Sequence, residues 1–72
     1  MKDETIKMLD LVALLKDLPS ENLLRGQIGT VVERYNDTNF EVEFSDNSGK
    51  TIAMLTLNTN DIMLLHNEPI HL

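Results

Sequence analysis

The chain has 72 residues, with six Lys and Arg against twelve Asp and Glu, a formal charge of −6. Its length fits one domain, and 42% apolar with 25% charged residues is the composition of a globular protein. Cysteine is absent, which excludes a disulfide framework, a thiolate metal site and a thiol nucleophile.

Residues 1–8 are polar and mixed in charge and are expected to form an N-terminal arm. Leu9 to Leu15 is a short apolar run open to either helix or strand. Pro19 biases Leu18 away from the α region, and a run of seven stopped that early favours a strand. Leu18 to Arg25 reads as a long loop with one helical turn near Glu21 to Leu24, capped by Ser20. Gly26 to Tyr35 is rich in β-branched residues and predicts a second strand. Gly26 and Gly29 are assigned to a bend or bulge at its start. After the polar turn Asn36 to Asn39, Phe40-Glu41-Val42-Glu43-Phe44 alternates without an error. Phe40, Val42 and Phe44 therefore face inward, and both glutamates outward.

Asp46-Asn47-Ser48-Gly49 predicts a tight hairpin turn, with Gly49 at positive φ. Lys50 to Leu57 is the next strand, with Ala53, Leu55 and Leu57 on one face and Ile52, Met54 and Thr56 on the other. Asn58-Thr59-Asn60 is a turn able to hold a 3₁₀ segment. A last strand, Ile62 to Leu65, precedes Pro69. Five short strands at regular spacing predict an all-β fold, a small five-stranded SH3-like barrel over residues 9–66 with a tail at 67–72.

Gly26-Gln27-Ile28-Gly29-Thr30-Val31-Val32 resembles the strand start of KOW and other SH3-like barrels. A longer resemblance runs from Leu9 to Leu65. Asp10-Leu11-Val12-Ala13-Leu14, Asp17-Leu18-Pro19, Leu24 to Glu33, Glu41-Val42-Glu43-Phe44 and Thr51-Ile52-Ala53 stand in the order found in a family of small bacterial proteins. That family is common in cyanobacteria and known only as a domain of unknown function. It looks like one often encoded beside small toxin-like proteins, which implies an antitoxin or immunity role by association.

No catalytic constellation emerges. His66 and His71, five apart, lack the spacing and the third ligand of a metal site. Ser20, Ser45 and Ser48 have no glycine elbow. Gly26 and Gly29 have neither the following helix nor the Lys of a phosphate loop. No catalytic residue, metal or cofactor is assigned. A domain this small buries only about 60% of its unfolded surface, which leaves little core to enclose a water-excluding pocket. Size thus favours a binding module over an enzyme.

Charge carries the strongest functional signal. Residues 1–36 hold five basic and six acidic side chains, net −1, and residues 37–72 hold one and six, net −5. That imbalance opposes nucleic-acid binding, which rests on phosphate neutralisation. It suits a basic protein partner, such as a ribonuclease-type toxin. The plainer explanation is that acidity keeps a small protein soluble. Glu41, Glu43 and Asp46 are the expected partner edge. Ile52 and Met54, with Met63, form an apolar surplus that the arm, a partner or a second copy would cover. The arm, through Ile6, Met8 and Leu9, is the plainer cover. A monomer or weak homodimer is expected, with no nucleic acid and no membrane as partner. No apolar run approaches the roughly 18–20 residues of a membrane span. The start Met1-Lys2-Asp3-Glu4 has no apolar segment of the signal-peptide kind, so a cytoplasmic setting is expected. The alternative function is a small accessory subunit docking on a larger enzyme or electron-transfer complex.

Overall fold

The computed structural model describes residues 5–66. Five strands follow one another: β1 (Leu11–Leu14), β2 (Ile28–Arg34), β3 (Asn39–Ser45), β4 (Thr51–Asn58) and β5 (Ile62–Leu64). They form one antiparallel sheet in the order β4-β3-β2-β1-β5. The all-β class and the small barrel-like arrangement read from the sequence are the ones the chain adopts, and among the described residues the helical content is two 3₁₀ turns.

Alternation along the strands makes the core. Phe40, Val42 and Phe44 of β3 are fully buried, as are Val12, Leu14, Val31 and Leu23. Leu57 and Ile62 close the cluster, and Ala53, Leu55, Leu64 and Leu18 pack at its margin. Each buried large aliphatic or aromatic side chain contributes about 1.5–3 kcal/mol of transfer free energy.

The turns are built by short polar side chains. At the β3–β4 hairpin the Asp46 carboxylate accepts from Ser48 N (2.9 Å), Ser48 Oγ (2.7 Å) and Lys50 N (3.0 Å). Those hydrogen bonds to Ser48 and Lys50 hold its pKa below the usual carboxylate range. Gly49 takes φ 87°, as expected. Between β4 and β5, a 3₁₀ turn at Thr59–Asp61 carries a reciprocal capping box between Asn58 and Asp61. Lys16 bonds Asp61 at 2.9 Å and, with the Asn58 amide, lowers its pKa.

Several local expectations are corrected. The first strand begins at Leu11 rather than Leu9, because Leu9 lies in the left-handed region at φ 71° within a turn closed by Asp10 N to Lys7 O. The helical turn after β1 is Pro19–Glu21, and Ser20 does not cap it. Proline has preset that turn, so Ser20 falls inside it rather than before it. Gly29 makes no bulge. It lies within β2, opposite Phe44, and the β2 bulge is three residues later, where Val32 is the extra residue. A Cβ on Gly29 would sit 2.6 Å from Val42 Cγ1 and 2.8 Å from Phe44 Cε1. The glycine therefore makes room for the core rather than for a bend.

The arm also behaves differently. Ile6 is buried in the core cluster, whereas Met8 is 53% and Leu9 73% exposed. The described part of the arm thus closes the core and leaves Ile52, Met54 and Met63 uncovered. The expected tail at 67–72 lies outside the described residues.

Candidate protein-binding face

The outer face of β2, β3 and β4 gathers carboxylates. Glu33 of β2 stands directly opposite Glu41 of β3, and Glu43 follows two residues along the same face. Like charges placed opposite each other in a ladder are destabilising, by a few tenths to about 1 kcal/mol. The bulge at Val32 produces this juxtaposition: it shifts the β2 register by one residue and carries Glu33 to the outer face. Strand alternation places Glu41 and Glu43 on that face but not Glu33, because the bulge leaves no mark in the β-branched run Thr30-Val31-Val32.

The face is hydrogen-bonded but not neutralised. Glu41 Oε1 accepts from Thr56 Oγ1 (2.6 Å) and Tyr35 OH (3.3 Å), and Glu43 Oε2 accepts from Thr51 Oγ1. Desolvation, the charge and hydrogen bond of Glu41, and the charge of Glu33 raise the Tyr35 pKa. Among the described residues the ion pairs are Lys16–Asp61 and Arg34–Asp37, and neither reaches these glutamates.

The expected site residues fall in three places. Glu41, Glu43, Ile52 and Met54 share one surface, for Met54 stands directly opposite Glu43 and Ile52 forms the β4 bulge beside it. Charge and apolar surplus are thus neighbours rather than rival faces. Asp46 sits in the hairpin turn with its carboxylate engaged there. Met63 belongs elsewhere: β5 and β4 are opposite edges of the sheet. Met63 instead flanks Ala13, whose other neighbour is Ile28. Tyr35 is 56% exposed and sets an aromatic ring beside these carboxylates.

A second surface lies on the outside of β5, β1 and β2. Leu11, Ile28 and Met63 are exposed there around the buried Ala13. A shallow depression of about 120 Å³ opens beside it, lined by Leu9, Asp10, Leu11 and Leu65. Small-molecule pockets run to roughly 300–1,000 Å³, so the depression is small for such a ligand. Among the described residues no helix is long and apolar enough to cross a membrane, and no three metal-ligating side chains converge.

Residues 8–64 match a family described as a domain of unknown function, DUF4926. The chain belongs to this family. The match spans β1 to β5 and so takes in the acidic face and the apolar one, but the DUF4926 description attaches no activity to either. No curated protein and no solved structure matches the chain.

Proposed function

We propose that this DUF4926 domain is a non-enzymatic protein-binding module that receives a basic protein on the outer face of β2–β3–β4. The opposition of Glu33 and Glu41 carries this reading. A fold gains nothing by setting two carboxylates against each other, but a cationic partner converts that repulsion into attraction. Met54 and Ile52 beside the carboxylates supply adaptable apolar contact. In its specific form the domain is an antitoxin or immunity-type protein covering the cationic site of a toxin-like partner.

A second reading is favoured by the apolar surface of Leu11, Ile28 and Met63: docking as an accessory subunit on a larger complex. One experiment separates the two. Capture from the native host is run with wild type, with Glu33→Gln/Glu41→Gln/Glu43→Gln, and with Ile28→Asp/Met63→Asp. Loss of a basic protein only from the first variant supports the acidic face. Loss only from the second assigns binding to β5–β1–β2.

A further inference from the structure

Among the described residues, the free edge of β4 is longer than that of β5, the other edge of the sheet. Native edges are usually protected by shortness, charge, proline or a bulge, and the bulge of β4, at Ile52, leaves Ala53 to Asn58 in regular register. At the other end of the sheet, β5 is only three residues long. β4 has eight residues, Thr51–Asn58, with no charge and no proline among them, in a chain that is 25% charged.

The hydrogen-bond alternation shows which groups are free. Thr59 N bonds Thr38 O, so by alternation Leu57, Leu55 and Ala53 exchange bonds with Phe40, Val42 and Phe44 opposite them. Met54 and Thr56 turn their N–H and C=O groups to the open side, where no partner is found among the described residues. Their side chains are exposed on the outer face. Leu55 points inward yet stays half-buried, because no strand among the described residues lies beyond it.

We infer that β4 pairs antiparallel with β4 of a second copy, about a two-fold axis at Leu55. In that register Met54 and Thr56 of each copy exchange hydrogen bonds with Thr56 and Met54 of the other, and the two Leu55 side chains meet. The register avoids the bulge at Ile52. A second copy fits better than a foreign strand, because an uncharged edge has nothing with which to select one. The nearest repelling charges, Glu43 of one copy and Glu41 of the other, stand three strand spacings apart, about 14 Å. That exceeds the screening length of about 8 Å at physiological salt. One strand pair is a small interface, so pairing depends on concentration and weakens as salt is removed. It leaves the acidic faces uncovered, and its failure would not touch the proposed function.

Because cysteine is absent, single-cysteine variants report the register directly. Paired Cα atoms in a non-hydrogen-bonded antiparallel pair lie about 4.5 Å apart, within disulfide reach. Sedimentation from micromolar to millimolar protein is expected to show monomer passing to dimer. The Met54 and Thr56 amides should exchange more slowly at the higher concentration. Leu55→Cys should cross-link between copies at least about tenfold faster than Ile28→Cys or Met63→Cys. Met54→Lys, with its side chain in solvent and its fold intact, should raise the dimer dissociation constant about tenfold or more. A monomer at millimolar concentration with fast exchange at both amides overturns the inference. So does a dimer that cross-links through Ile28→Cys or Met63→Cys, or exchange that slows only when a foreign extended peptide is added.

Discussion

Replacing Gly29 by Ala tests how tightly the core is packed. The added Cβ would stand 2.6 Å from Val42 Cγ1, 2.8 Å from Phe44 Cε1 and 3.0 Å from the Glu43 carbonyl oxygen. Neither side chain has room to retreat, since Val42 and Phe44 are both fully buried. The third neighbour is backbone and cannot rotate away. Overpacking of this kind costs about 1–3 kcal/mol. Reduced freedom of the unfolded chain returns about 0.4–1 kcal/mol of that. The net loss is up to about 2.6 kcal/mol, centred on about 1 kcal/mol because the backbone neighbour cannot give way, out of roughly 4–11 kcal/mol expected for 72 residues. In a domain this size each kcal/mol moves the melting temperature by about 4–8 °C. Urea and thermal unfolding of Gly29→Ala should therefore show a clear drop, and that drop should be smaller when measured in a Val42→Ala background, where the nearest clashing methyl is gone. A Gly29→Ala variant as stable as wild type would refute the close approach of β2 and β3 at this position.

Phe44→Ala should cost about 3–5 kcal/mol by emptying the centre of the core, and unchanged thermal unfolding would mean that β3 is assigned to the wrong face. Asp61 has its pKa lowered below 3.8 by Lys16 and the Asn58 amide. A carboxylate depressed in the folded state adds stability above its unfolded pKa and loses it as pH falls through the folded value. Acid titration should therefore show a stability loss below about pH 4 that is smaller in Asp61→Asn, and identical titrations would refute the Lys16–Asp61–Asn58 linkage. With a charge of −6, the domain should give no gel shift with simple duplex or single-stranded nucleic acid even at low salt, and a micromolar shift would contradict the proposed partner class.

Side-chain period made the core legible. In β3 every second residue is apolar, so one face assignment satisfied all of Phe40, Val42 and Phe44. The hairpin at Asp46–Gly49 and the turn at Asn58–Asp61 were equally readable, because Asp, Asn and Gly act locally through their own side chains and backbone freedom. What local chemistry does not encode was missed. The Val32 bulge is a consequence of how β2 fits β3, and it alone brings Glu33 to Glu41. The role of Gly29 depends on side chains more than ten residues away. Met63 was grouped with Ile52 and Met54 because all three are surplus apolar residues, yet strand order sets β5 and β4 at opposite ends of the sheet.

The central claim is that the carboxylates of β2 and β3 meet a basic partner. Its most direct test is the association rate of a captured basic partner with wild type and with Glu41→Lys/Glu43→Lys, each at two salt concentrations. Charge complementarity acts mainly on the rate of encounter. The double variant should associate about tenfold more slowly at low salt and lose most of the salt dependence, while it stays folded, the relief of the Glu33–Glu41 repulsion offsetting the lost hydrogen bonds from Thr56 and Thr51. Equal association rates at both salt concentrations would contradict the claim and move the contact to the apolar surface of Leu11, Ile28 and Met63.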